Sequence, residues 1–142
     1  MPLPLRLTLV TLGVADVAAS TAFYEQLGLT KSSESNDSVT FFDVGGVALA
    51  LFGRKDLAHD AGVEAEGDGF RAQSLAWNLA SPGDVDKVIV RMVAAGGNLV
   101  KAAEKTFWGG YAGYVSDPDG HLWELAHNPF WTDAEGQTRL PA

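Results

Sequence analysis

Two stretches of the chain alternate apolar and polar positions with period two, and two others repeat their apolar positions at helical spacing. Leu9-Val10-Thr11-Leu12-Gly13-Val14 and Ser74-Leu75-Ala76-Trp77-Asn78-Leu79 predict strands, because successive side chains of an extended backbone point to opposite faces. Val10, Leu12 and Val14 then share one face, and Leu7, Leu9 and Thr11 the other. In the second stretch Leu75, Trp77 and Leu79 oppose Ser74, Ala76 and Asn78. Helical spacing covers Val17–Leu27, with Val17, Phe23, Tyr24 and Leu27 on the apolar stripe, Asp16 as N-cap and Gly28 as stop. A second helix follows Ser81, a candidate N-cap, with Pro82 at the first helical position and Asp84 three residues after the cap. Val85, Val88, Ile89, Met92 and Val93 supply its buried face, and Gly96-Gly97 ends it.

The pattern recurs. Asp43-Val44-Gly45-Gly46 runs into Val47–Phe52, and Asp117-Pro118-Asp119-Gly120 runs into His121–Ala126. Each is a D-x-x-G turn feeding a short apolar strand, and each lies downstream of a strand and a helix. The chain therefore reads as one β-α-β-β(-β) unit of about 50 residues used twice. Module 1 spans about residues 5–53, a linker about 54–72, module 2 about 73–128 and a C-terminal tail 129–142, together one domain over residues 1–142. Within the linker, Asp60–Gly69 holds four acids, three glycines and no base, and predicts a flexible loop.

Composition narrows the function classes. Of 142 residues 46% are hydrophobic and 20% charged, as in an ordinary globular domain. Cysteine is absent, which removes disulfides, thiolate metal sites and a cysteine nucleophile. A net charge of −8 disfavours nucleic acid and anionic membranes as partners and mildly attracts a cationic ligand. No apolar run approaches the ~20 residues of a membrane span, and the N-terminus lacks the features of a signal peptide. The expected location is the cytoplasm.

Candidate chemistry converges on the last hairpin. Asp117–Gly120 suits a type I turn, with Pro at i+1 and Gly at i+3. A tight turn pairs Ser116 with His121, so Tyr114 lies opposite Trp123, Gly113 opposite Glu124 and Tyr111 opposite Ala126. Trp123 and Leu125 belong to the core, so Glu124 faces inward with Leu122 and Ala126. An inward acid costs free energy unless it has a partner or a task. It is either a structural acid satisfied by tyrosine or backbone groups, or a functional one. Leu7, Leu9, Val39, Phe41, Ala50 and Phe52 share the inner face of the first half. Ser74, Ala76, Asn78 and Tyr111 join Glu124 in the second. Phe107-Trp108-Gly109-Gly110-Tyr111 sets aromatics beside glycines, where they can stack on a planar or cationic ligand. The expected ligand-binding set is Trp108, Tyr111, Glu124, Phe41, Phe52, Leu9, Ser74 and Asn78, mostly apolar with a few polar points, as small-molecule sites are. Glu124 and the Trp108–Tyr111 segment are expected to form one site. No Walker, G-x-G-x-x-G, H-E-x-x-H or G-x-S-x-G motif occurs. His59, His121 and His127 are read as ordinary surface or hydrogen-bonded histidines.

The stretch V-x-D-x-x-x-S-x-x-F-Y (Val14, Asp16, Ser20, Phe23, Tyr24), followed by Leu27-Gly28, and D-P-D-G-H-x-x-E (Asp117 to Glu124) resemble the vicinal oxygen chelate superfamily. That superfamily includes glyoxalases, extradiol dioxygenases, fosfomycin-resistance enzymes and bleomycin-resistance proteins. The resemblance covers about residues 5–128. It implies an α+β fold of two tandem βαβββ modules forming a curved mixed sheet with helices on the outer face, and a homodimer. Metal-dependent members carry His, Glu or Gln at four positions, which fall here on Leu9, Ala50, Ser74 and Glu124. Only Glu124 ligates strongly, so no metal and no cofactor are expected. Two functions follow. The first is a protein that binds a small, largely apolar or cationic molecule without a tightly held metal. The second is a glyoxalase-like lyase or dioxygenase-like enzyme, with Glu124 as general base or as part of a degenerate metal site.

Overall fold

Two side-chain caps set the longer helices. Asp16 Oδ1 accepts from the Ala19 amide at 3.0 Å and opens α1 (Val17–Gln26). Ser81 Oγ accepts from the Asp84 amide at 3.1 Å, and Pro82 follows it to open α3 (Pro82–Ala94). Gly28 and Gly96, at φ of 101° and 114°, adopt the left-handed backbone that ends each helix. The protein is described by a computed structural model covering residues 5–131 and 140. It falls into two compact units, Met1–Asp68 and Gly69–Ala142.

In the first unit β1 (Leu9–Val14), β2 (Val39–Asp43) and β3 (Ala48–Gly53) form a mixed sheet of order β1-β3-β2. β1 runs parallel to β3, and β2 antiparallel to it. Leu12, Leu51, Thr40, Leu49 and Phe42 point to one face and are buried, with Phe23 and Tyr24 of α1. The Tyr24 ring meets Phe23 edge-on at 5.0 Å and Phe42 at 6.2 Å between centroids. The Thr21 and Thr40 hydroxyls pair at 2.8 Å, so two buried polar groups satisfy one another. Ser20 does not share this arrangement. Its Oγ is buried with no hydrogen-bond partner among the described residues. Ser20→Ala removes that desolvated hydroxyl, and we expect chemical denaturation to show a gain of about 1 kcal/mol; a loss of similar size would contradict it.

Two features of the first unit differ from the sequence expectation. Arg54–Ala61, assigned to the linker, forms a helix, α2, closed by Gly62 at φ 71°. The acidic stretch after it is tied back rather than free. Arg54 Nε donates to the Ala65 carbonyl at 2.6 Å, and its guanidinium also donates to the Gly67 carbonyl at 2.8 Å. Gly13 allows α2 to approach β1, since a Cβ there would lie 3.3 Å from the Arg54 Cα. The other feature is at Lys31–Ser38, where the counterpart of a further strand shrinks to one bridge between Lys31 and Phe42. The Ser32, Ser35 and Asn36 side chains bond nearby backbone there, in competition with a ladder.

The second unit holds β4 (Leu75–Asn78), β5 (Asn98–Lys105), β6 (Tyr111–Ser116) and β7 (Leu122–His127) in the order β4-β7-β6-β5. β4 is parallel to β7 and the other pairs are antiparallel. Val85 and Met92 of α3 are buried, as are Val115 and Leu125 on the sheet face beneath. Val93, expected on the buried face of α3, is 42% exposed. The whole is α+β, two mixed sheets of three and four strands with three helices among the described residues. None of those helices is long and apolar enough to cross a membrane.

Candidate functional site

The register of the β6–β7 hairpin decides which side chains accompany Glu124. Asp117 is fully buried, and its Oδ1 accepts from the amides of Asp119 at 3.0 Å and His121 at 2.9 Å. The Asp117 amide donates to the His121 carbonyl, so Asp117 and His121 close the ladder across Pro118-Asp119-Gly120. A three-residue loop of this kind ends on a left-handed residue, here Gly120 at φ 86°. The pairing is therefore one residue away from the expected one. Ser116 meets Leu122, Tyr114 meets Glu124, Gly113 meets Leu125 and Tyr111 meets His127.

The shift leaves Glu124 on its expected face and changes its company. Leu125 is fully buried on the α3 side, so Glu124 projects from the opposite face. Its direct neighbours on that face are Tyr114 of β6 and Ala76 of β4, with Ala112, Ala126 and Asn78 in the next row. Glu124 and Tyr114 are half-buried. The Tyr114 hydroxyl donates to Glu124 Oε2 at 3.2 Å. Burial pushes the Tyr114 phenol up from its usual pKa, and the Glu124 charge and hydrogen bond push it the same way. Among the described residues, no Lys, Arg or His forms an ion pair with Glu124. Lys101, opposite Tyr114 on β5, pairs instead with Glu104 at 3.3 Å.

Tyr111 falls on the α3 face rather than beside Glu124, and its hydroxyl donates to Asp86 Oδ1 at 2.7 Å. That hydrogen bond to a carboxylate raises its pKa. The single site expected of Glu124 and the Trp108–Tyr111 segment is thus divided between the faces of one sheet. Trp108 lies in the β5–β6 turn, where a Cβ on Gly110 would collide with its ring and sit 2.7 Å from the His127 carbonyl. It stands at the end of the hairpin, about 10 Å along β7 from Glu124 at ~3.3 Å per residue. Ser74 is exposed just before β4. In the first unit Leu9, Phe41 and Phe52 share the face opposite α1. Leu9 and Phe41 line an open groove of about 660 Å³ with Ser32, Glu34, Asp43 and Val47. His127 Nδ1 bonds the Leu79 carbonyl at 2.9 Å, as a structural histidine does.

The two parallel strand pairs test the metal-ligand positions. Thr11 stands opposite Ala50 in β1–β3, and Ala76 opposite Glu124 in β4–β7. Ala50 is therefore the counterpart of Glu124, and Leu9 that of Ser74. One carboxylate, one hydroxyl and two apolar side chains do not fit a divalent cation, which takes several oxygen or imidazole ligands. Among the described residues no three or more His, Asp or Glu gather into a group that could hold a metal ion.

Comparison with known proteins places the fold. The profile of the Glyoxalase/Bleomycin resistance protein/Dioxygenase superfamily matches residues 6–125, and the chain belongs to that superfamily. Similar solved structures include a glyoxalase-related enzyme from Fulvimarina pelagi, 36% identical, covering 96% of this chain and 99% of its own, with a TM-score of 0.84. A glyoxalase/bleomycin resistance protein/dioxygenase from Nocardioides is 26% identical, covers 100% of this chain and 92% of its own, and has a TM-score of 0.73. A lactoylglutathione lyase from Agrobacterium tumefaciens shares the fold at 24% identity and a TM-score of 0.68, over 90% of this chain and 97% of its own. No curated protein matches the chain significantly.

Proposed function

We propose that this protein binds a small, largely apolar molecule bearing a cationic group, with Glu124 as the counter-charge and without a resident divalent metal. One observation carries the reading. Glu124 is a half-buried carboxylate whose partner among the described residues is a neutral phenol, with no ion-paired base. A partly desolvated charge with one neutral donor leaves unused acceptor capacity for a ligand. Ala76, Ala112 and Ala126 around it keep the surrounding surface low. The enzyme reading has less support, because of the four positions that carry ligands in metal-dependent relatives one here is a strong donor. The test compares benzylamine with benzyl alcohol, which match in shape and differ in charge. Benzylamine should bind at least about fivefold more tightly, and elemental analysis after dialysis should find well under one divalent metal per chain. Equal binding, or near one equivalent of metal lost in Glu124→Ala, would overturn the reading.

We also propose a homodimer. Phe130 and Trp131, 70% and 41% exposed, leave apolar surface that a second copy would cover. Light scattering should give twice the chain mass, and a monomer across a wide concentration range would refute it.

A further inference from the structure

We propose that Tyr114 turns the Glu124 site into a paired acceptor that selects primary ammonium and amidinium groups over quaternary ammonium. The inference rests on the reading of Glu124 as counter-charge and specifies the chemistry of the ligand's charged end. Tyr114 and Glu124 are directly opposed on β6 and β7, so their side chains rise from one face. Directly opposed residues hold their Cβ atoms roughly 4.5–5.5 Å apart. The Tyr114 hydroxyl commits its single proton to Glu124 Oε2 at 3.2 Å. Its oxygen keeps lone pairs that accept, and Glu124 Oε1 keeps its own. Burial and the neighbouring carboxylate both hold the phenol protonated, so this polarity is fixed in ordinary conditions.

The result is two acceptor oxygens side by side, carried by adjacent strands. Lys101, the base nearest along the row, directs its ammonium to Glu104 at 3.3 Å. On the other flank Ala76 presents a methyl group opposite Glu124 and offers no donor. A primary ammonium has three N–H donors, and an amidinium presents two N–H groups in one plane. Either can bond the phenol oxygen and the carboxylate together. A quaternary ammonium has no N–H, so it gains the charge attraction alone. A carboxylate or phosphate ligand meets two acceptors and a like charge.

The experiment titrates the full chain with benzylamine, benzamidine and benzyltrimethylammonium, followed by amide chemical shifts, for wild type, Tyr114→Phe and Glu124→Gln. Wild type should favour the two N–H cations about tenfold over the quaternary one. Tyr114→Phe keeps the ring and should cut that preference to about twofold, with affinity for the quaternary cation unchanged. A merely structural tyrosine would weaken all three probes alike. Equal binding of the three probes to wild type overturns the inference without any variant, and so does a preference that survives in Tyr114→Phe or a uniform loss. Failure of every probe to bind wild type, or binding to Glu124→Gln as tight as to wild type, overturns the reading of Glu124 itself and the inference with it.

Discussion

Glu124→Gln is expected to weaken benzylamine binding at least about tenfold while leaving the unfolding midpoint close to that of wild type. The amide has the shape of the carboxylate, and its oxygen still accepts from the Tyr114 hydroxyl, so the β6–β7 pairing loses little. What disappears is the charge. A hydrogen bond to a charged group contributes roughly 1.5–3 kcal/mol, which sets the tenfold figure. Half-burial moderates the attraction without abolishing it, because an exposed ion pair is worth ~0–1 kcal/mol. The same affinity should fall as salt rises, for the charge remains partly screened. Tyr111→Phe is the informative control. Its hydroxyl serves Asp86 on the α3 face, so its loss should leave benzylamine binding unchanged. Isothermal titration of the two variants against wild type checks both statements, and equal binding by Glu124→Gln contradicts the first.

Phe42→Ala should be the most damaging single truncation in the first unit. Phe42 is fully buried on β2, opposite Leu49, with its ring against Tyr24 of α1. It joins the sheet to the helix through its ring contact with Tyr24. A buried Phe→Ala change costs about 3–5 kcal/mol, transfer and cavity together. Whole domains of this size hold only ~5–15 kcal/mol, so urea should unfold the variant at a much lower midpoint than wild type. Phe42→Leu, which retains most of the volume, should lose less. A loss below about 1 kcal/mol in Phe42→Ala would mean that the Tyr24–Phe42 contact does not hold α1 to the sheet.

The parts of this fold legible in the sequence are those with local signals. Asp16 and Ser81 announce their helices because a cap acts on amides two or three residues away. The faces of β1, β3 and β7 follow from alternation, since Leu12, Leu51 and Leu125 had to be covered. Helix α2 was not legible. RKDLAHDA offers little to bury beyond Leu57 and Ala58, has no side-chain cap, and runs into an acidic stretch that reads as loop. On the last hairpin the face that Glu124 occupies was legible. Its partner was not, because the hairpin register depends on Asp117, which is drawn into the ladder by accepting two amides of its own turn. One residue of register exchanges Tyr111 for Tyr114 beside Glu124. The signal was present: an Asp followed three residues later by a Gly permits a three-residue loop as well as a four-residue one, and the buried carboxylate selects the shorter.

Glu124 as the counter-charge for a cationic ligand is tested most directly by an amide chemical-shift map of the isotopically labelled wild-type protein during a benzylamine titration. Saturable shifts should rise together at Ala76, Ala112, Tyr114, Glu124 and Ala126, the residues that share one face of the second unit's sheet. Shifts gathered instead on Ser32, Glu34, Phe41 and Asp43 in the groove of the first unit, or no saturating shifts at all, would contradict it.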